Sequence, residues 1–424
     1  MATSKTIEEI NRKLEKGTAI VMTAEELCNL IRDDQKVTMD DIDVVTAATR
    51  GLMSGTLIIL SFKVSEPATF KKAEKIYLND IPGYVGPCPN EWLGVIDAIF
   101  YGTAHSISEP EKYGGGHLFR DLIEKKDIHV RVTTVEGKTI ELTTNLNEIP
   151  FAKMMAIRNA FKNYLAFVNP HGEELSSIFS AQKFKGNFAE LTFCGCGELN
   201  PIQKDPNLDV IGIGTPILMN GALGYIIGSG TRSSKEKPNL MAIAEMHDMK
   251  PEYAGGFITS SGPEVINSWA VAIPILNEKI FQNVCITDEQ IKLAVVDVKG
   301  RTPLATKTYA DVWQGVDFQI SYNKADCLEC EVCLVEKNCP MTAFSREEGI
   351  NQSLCFNCGH CVNLCPGKAF KGTLGQIKVL NHDIPIVLRQ SDRYRASKLA
   401  KELKKQILNG TFKLTLPISK LKFQ

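Results

Sequence analysis

The strongest constraint on this chain lies between Cys327 and Cys365, where eight of its thirteen cysteines fall. The second half of that stretch reads Cys355-x2-Cys358-x2-Cys361-x3-Cys365-Pro366, the bacterial spacing for binding 4Fe-4S cubanes. Three thiolates two residues apart wrap one corner of a cubane, and in two-cluster proteins the fourth cysteine ligates the other cluster. The first half reads Cys327-x2-Cys330-x2-Cys333-x5-Cys339-Pro340, with two extra residues before its last cysteine. Crossing the fourth ligands gives one set of Cys327, Cys330, Cys333 and Cys365 and a second of Cys355, Cys358, Cys361 and Cys339. The longer spacing alters a loop and leaves the triplet intact. Zinc is the bland alternative, and eight cysteines at this spacing oppose it. The segment therefore implies two 4Fe-4S clusters and electron transfer, without saying what the electrons reduce.

Around this segment the chain is ordinary. Its 424 residues are 44% hydrophobic and 23% charged, with a formal net charge of -1. That length allows two or three domains and a large buried core. The balance carries no global bias toward nucleic acid or membrane. No apolar run approaches the roughly 18 residues of a bilayer span, and Met-Ala-Thr-Ser-Lys lacks the apolar segment of a signal peptide. The expected location is the cytoplasm, where dense cysteine points to metal or redox chemistry.

The expected fold is an α/β or α+β layered N-terminal body over 1–315, a small two-cluster ferredoxin-like domain over 316–373, and a C-terminal extension with a basic amphipathic helix over 374–424. Thr6 with Glu9, and Thr23 with Glu26, read as capping boxes opening two short helices. Thr18–Thr23 and Leu57–Leu60 read as buried strands. The spacing of Trp92, Val95, Ile96, Ile99 and Phe100 predicts an amphipathic helix from Asn90 to Tyr101, stopped by Gly102. His129 to Thr144 alternates around Glu136-Gly137 and predicts a hairpin; residues 152–167 predict another helix. Cys194 to Gly262 is dense in glycine but lacks both a full dinucleotide fingerprint and a Walker-type loop. Arg389 to Gln424 carries ten Lys/Arg against two acids. There Ala396, Leu399, Ala400, Leu403 and Ile407 fall on one helical stripe, read as a docked helix with a solvated basic face.

Five cysteines lie outside the cluster segment. Cys28 and Cys285 read as small buried hydrophobes. Cys88, in Gly86-Pro-Cys-Pro-Asn90, precedes the expected helix, whose N-terminus would stabilise a thiolate. Cys194-Gly-Cys196-Gly carries glycines expected to expose both sulfurs, so that it could chelate a metal or carry a persulfide. Cys88, Cys194 and Cys196 together would suffice for a third cluster with one open iron. His117 follows three glycines at the start of a helix, where the dipole disfavours imidazolium and leaves a neutral ring to meet a substrate carbonyl. Arg158, Arg232 and Arg120 are candidates for holding an anionic substrate.

Several stretches carry a family resemblance. Lys5-Thr-Ile-Glu-Glu-Ile-Asn11, Val21-Met-Thr-Ala-Glu-Glu26, Tyr113-Gly-Gly-Gly-His117, Cys196-Gly-Glu-Leu-Asn-Pro201, Asp205-Pro206, Ile211-Gly-Ile-Gly-Thr215 and Gly221-Ala-Leu-Gly-Tyr225 resemble the homocysteine-biosynthesis family, the aspartate-semialdehyde sulfurtransferases of anaerobes. The similarity spans roughly residues 5 to 280. With the cysteine-rich segment behind it, the whole chain resembles the methanogenesis marker 16 branch. The resemblance implies a reaction in which an aldehyde, a sulfur donor and two electrons yield a thiol. Two family cysteines have no counterpart: their regions read Leu52-Met-Ser-Gly-Thr56 and Val132-Thr-Thr-Val-Glu-Gly137. Covalently held sulfur would then fall to Cys88, Cys194 or Cys196.

These readings imply a small anionic aldehyde, a sulfur donor and an external low-potential electron donor as partners. The aldehyde expected from the branch is sulfoacetaldehyde, converted to coenzyme M, with Arg158 or Arg232 on the sulfonate. The rivals are homocysteine formation from aspartate semialdehyde and a non-catalytic electron carrier serving a methanogenic enzyme.

Overall fold

The structure is a computed structural model describing residues 4–86, 91–162 and 164–423. Local chemistry places the first elements as expected. Thr6 and Glu9 exchange capping hydrogen bonds around the helix Ile7–Glu15, and Thr23 and Glu26 do the same for Ala24–Arg32. Between them Val21–Thr23 runs parallel to Val44–Thr46 at one end of a 14-stranded sheet.

Two expected helices are strands. Val95–Tyr101 lies antiparallel between Gly55–Lys63 and Ile81–Val85, while Asn90 and Cys88 lie outside the described residues. Its buried residues are Ile96, Ala98 and Phe100, a period of two. Ile96, Ile99 and Phe100 happened also to satisfy a helical spacing, and sheet neighbours on both sides decided the outcome. Residues 152–167 divide into the strands Phe151–Asn159 and Leu165–Val168. Ala152, Met154 and Ala156 alternate into the core there, so packing overrides the helical preference of alanine and methionine. The hairpin Ile128–Thr134/Thr139–Thr144 turns at Gly137, as its alternation required. In the glycine-dense stretch, Pro216–Met219 and Ala222–Ser229 form a hairpin about Asn220-Gly221, both at positive φ, as a two-residue turn demands.

A second sheet has the order Pro303–Thr308, Lys292–Asp297, Leu165–Val168, Leu191–Phe193, His382–Arg389, Gln376–Val379. Leu191–Phe193 pairs parallel with His382–Arg389, so both strands end at the same edge. That edge delivers Cys194 and Gln390 side by side.

The C-terminal helix Arg393–Leu408 is capped by the Asp392 carboxylate, which accepts from the Arg395 amide. Its Ala396, Leu399, Ala400, Leu403 and Ile407 are buried in the core they share with Val44, Val45 and Ile273. The stripe docks the helix; burying Leu399, Leu403 and Ile407 is worth several kcal/mol, at about 1.5–3 kcal/mol per large side chain. Among the described residues no helix is long and apolar enough to cross a membrane.

Candidate functional site

The eight clustered cysteines surround two cavities. Cys327, Cys330, Cys333 and Cys365 line one, with Tyr322 and Phe370 in its wall. Cys339, Cys355, Cys358 and Cys361 line the other, with Pro340, Phe356 and His360. The grouping is the crossed one that the spacing implies. Among the described residues, no three or more His, Cys, Asp or Glu gather as they would around a single ion.

The backbone repeats itself at the two cavities. Glu329 and Asn357, one residue before the second cysteine of each triplet, are both left-handed, with φ near 50°. Thr342 and Lys368, three residues beyond Cys339 and Cys365, are left-handed as well. These turns aim amides at sulfur: Ala343, Ala369 and Asn357 donate to Cys339, Cys365 and Cys355, each at 3.4 Å. Amides aimed at thiolate sulfur and walls without carboxylates suit anionic iron–sulfur cubanes. His360 adds a ring Nε2 that is buried without a partner among the described residues. The donor set, the cavities and this orphaned nitrogen all fit the clusters implied by the sequence.

The two cavities differ in what covers them. Around the first, Leu328, Val332 and Leu334 are 66%, 58% and 46% exposed. The second packs on the large sheet: Phe356, Cys358, Met341 and Ala343 share a core with Phe257, Ile266 and Leu388. Pro340 accepts from the Ile258 amide at 2.8 Å, and Cys358 accepts from the Arg389 amide at 2.9 Å. Arg395 donates to the carbonyls of Cys355 and Gln352, and Arg120 to that of Ser353. We call the two the outer and inner sites.

From the inner site a short connection leads to the Cys194-Gly-Cys196 turn. Gln390 follows Arg389, and its Oε1 accepts from the Cys194 thiol at 3.0 Å. Ser391 Oγ then accepts from the Gly195 amide at 2.7 Å. The turn is tightly specified. Gly195 has φ +105°, and a Cβ there would meet Tyr309 Oη at 2.2 Å; at Gly197 (φ +56°) it would meet Asp288 Oδ1 at 2.1 Å. Tyr309 and Trp313 donate to the carbonyls of Cys194 and Gly195.

Behind the turn, Glu198 and Asp288 receive each other's backbone amides, and Arg393 bridges both carboxylates. Burial works against both anions. Arg393, with Arg32, more than offsets it at Glu198, whose pKa is lowered, while at Asp288 burial prevails and the pKa is raised.

Both sulfurs of the turn are buried, which corrects the expectation that flanking glycines expose them. The glycines serve the turn, and the cysteines face inward. Cys194 packs with Phe167, Phe184 and Val296, whereas Cys196 packs with Leu199 and the C-terminal helix. Burial raises the Cys194 thiol pKa well above its ordinary value and that of Cys196 to about 11, so both rest protonated.

The other candidates are dispersed. His117 sits in the helix Gly115–Ile123, accepts from the Gly114 amide through Nδ1 at 3.2 Å, and packs against Gly256. Burial depresses its pKa to about 4, keeping the ring neutral. It shares no hydrogen bond with Cys194 or Cys196 among the described residues. Arg158 donates to the Thr231 carbonyl and lies 4.9 Å from the Phe161 ring. Its pKa is lowered by burial and by Arg232, so these two cations are neighbours. Phe161 in turn meets Tyr164 edge-on, and burial raises the Tyr164 pKa well above its ordinary value. Arg120 pairs with Glu124 and fastens the Ser353 carbonyl, so it serves the docking of the cysteine-rich segment. Cys28 is buried and accepts from Lys204 at 3.1 Å; Cys285, at a helix end, is half-buried.

Three features carry no short motif and escape sequence reading. Arg50 is fully buried above the Phe356 ring, 3.7 Å from Asp392, with no hydrogen bond at any guanidinium nitrogen among the described residues. Burial brings its pKa down to about 9. Gln390 joins strand to turn. Ser54, in the stretch Leu52–Thr56, donates to the buried Glu264 at 2.8 Å.

Uncharacterised proteins of Methanothermobacter thermautotrophicus and Methanocaldococcus jannaschii are each 44% identical, over 96% and 93% of this chain and 94% and 98% of their own lengths. The L-aspartate semialdehyde sulfurtransferase of Methanocaldococcus jannaschii is 31% identical over 75% of this chain and 64% of its own length. No solved structure matches. Residues 19–414 match the family described as "Homocysteine biosynthesis enzyme, sulfur-incorporation", and the chain belongs to that family.

Proposed function

We propose that this protein is an iron–sulfur-dependent enzyme that transfers sulfur reductively to a small anionic aldehyde. The carrying observation is the connection Cys358–Arg389–Gln390–Cys194, which sets a candidate sulfur carrier beside the inner four-cysteine site. In this reading Cys327, Cys330, Cys333 and Cys365 hold one 4Fe-4S cluster, and Cys339, Cys355, Cys358 and Cys361 the other. When bound, the clusters supply single electrons at low potential.

The chemistry requires them. Adding sulfide to an aldehyde carbon gives a thiohemiacetal, still at the oxidation level of a carbonyl. Two electrons and two protons, with loss of water, convert it to a thiol. Cys194 and Cys196 rest as protonated thiols close to the inner site. If the donor instead passes sulfane sulfur to Cys194 as a persulfide, with Arg301 the cation that acts on it, two further electrons and a proton cleave the S–S bond after addition to the aldehyde and return the Cys194 thiol, four electrons in all. Arg158 and Arg232, neighbouring cations joined towards the turn by Phe161 and Tyr164, suit the anionic end of the substrate.

The aldehyde proposed is sulfoacetaldehyde, giving 2-mercaptoethanesulfonate (coenzyme M). The second reading is homocysteine from aspartate semialdehyde, favoured by the activity named for the 31% identical relative. An anaerobic assay with sulfide, a strong reductant and each aldehyde in turn decides between them. The expected thiol is 2-mercaptoethanesulfonate; homocysteine alone would select the second reading, and no thiol from any aldehyde would overturn both. A non-catalytic carrier would keep reducing its partner after Cys194→Ser, whereas the enzyme would lose turnover.

A further inference from the structure

We infer that the outer four-cysteine site opens onto a docking surface for a redox protein whose own centre is ringed by basic residues. This rests on the reading that the cysteines hold clusters. The inner site packs against the large sheet and the strand that precedes Gln390, and its Cys358 is buried. At the outer site Cys327, Cys330 and Cys333 are only half-buried, and Leu328, Val332 and Leu334 stand exposed around them. Three large aliphatic chains this exposed beside three redox-type ligands form an apolar contact patch.

Charge specifies the partner. Residues 326–348 contain six acids (Asp326, Glu329, Glu331, Glu336, Glu347, Glu348) against two bases, Lys337 and Arg346. Asp326 pairs with Lys371 at 2.8 Å and Lys337 remains on the rim, so Glu329, Glu331, Glu347 and Glu348 carry its negative charge. Arg346 is held by Glu336 and donates to the carbonyls of Cys330 and Glu331, which fixes the loop carrying the patch. Leu328 is seated over Gly367, where a Cβ would meet its Cγ at 2.8 Å. An apolar centre inside a fixed acidic rim favours a partner with an apolar centre and a basic rim. Such complementarity sets the association rate and makes it sensitive to salt.

The test uses the full chain, purified and reduced without air, and cytochrome c, whose exposed haem edge is ringed by lysines, as the acceptor. Stopped-flow rates should fall roughly tenfold or more between low and physiological salt, the response expected of a steered encounter. At low salt Glu329→Lys/Glu331→Lys should slow the reaction several-fold, and Glu347→Lys/Glu348→Lys should act in the same direction. Oxidation by duroquinone, a small neutral acceptor, should not change in either variant, which shows the redox centres intact. Cytochrome c rates indifferent to salt and to both charge reversals, with the visible absorption of clusters present, would overturn this inference alone. Absence of that absorption would overturn the cluster reading and this inference with it. Light scattering supplies a third arm: low-salt self-association lost in Glu329→Lys/Glu331→Lys would identify a second copy, through its basic C-terminal helix, as the occupant and contradict the proposal.

Discussion

The thiol of Cys194 donates to Gln390 Oε1 at 3.0 Å, while the residue before Gln390 donates its amide to the carbonyl of Cys358. One strand end therefore touches both the inner cysteine site and the Cys-Gly-Cys turn. The same glutamine donates through Nε2 to the Phe179 carbonyl and to Thr192 Oγ1. Gln390→Leu would leave the Cys194 thiol and these buried acceptors unpaired, at about 1–3 kcal/mol for each group stranded. Anaerobic denaturant unfolding should show that loss. Iron content should be retained and thiol formation should drop at least tenfold; unchanged turnover would remove Gln390 from the functional connection.

Crossed ligation makes a prediction about pairs. Cys327→Ser/Cys365→Ser damages a single site and should leave on the order of four irons per chain, as one cubane holds. Cys327→Ser/Cys339→Ser damages both sites and should leave substantially fewer. Iron analysis of the two variants reads the difference directly, and the reverse order would show that each half of the segment ligates its own cluster.

Arg393 is the bridge that lets Glu198 and Asp288 share the buried space behind the turn. Arg393→Met takes the close cation from Asp288 and leaves Glu198 to Arg32, and breaking a buried ion pair costs about 3–5 kcal/mol. The denaturant midpoint should fall accordingly. If it does not move, the network is not holding the turn as described.

His117 predicts the sign of a pH effect. Its folded pKa is depressed to about 4 from the ordinary 6.5, chiefly by burial. Between those values the unfolded chain binds more protons, so its contribution to stability is present above pH 6.5 and is lost as pH falls toward 4. The ceiling is about 3 kcal/mol, reduced in practice by the ring's partial exposure. His117→Asn should flatten the dependence of unfolding free energy on pH between 5 and 7 (roughly the accessible part of that window). An unchanged slope would place the titration elsewhere.

Much of this architecture was readable before any coordinates, because its signals are local. The capping boxes at Thr6 and Thr23, the turn at Gly137 and the stripe on the C-terminal helix each depend on residues within one or two turns of chain. The crossed cysteine sets were legible for the same reason, since the triplet spacing is a geometric code. Val95–Tyr101 and Phe151–Asn159 were not legible as strands. Their apolar residues fit both periods, and sheet partners far along the chain chose between them. The burial of Cys194 and Cys196 was hidden likewise: it depends on Gln390 and Arg393, some two hundred residues away. Arg50 belongs to the same class, a charged residue inside a strand facing Asp392, more than three hundred residues away.

The central claim is that two sets of four thiolates hold iron–sulfur cubes and supply a sulfur-transfer reaction. Iron and acid-labile sulfide, determined with electron paramagnetic resonance on protein purified and reduced without air, test it most directly. The account predicts about eight irons and eight sulfides per chain, with the signals of reduced 4Fe-4S clusters. A colourless protein containing zinc or no metal, silent after reduction, would contradict it.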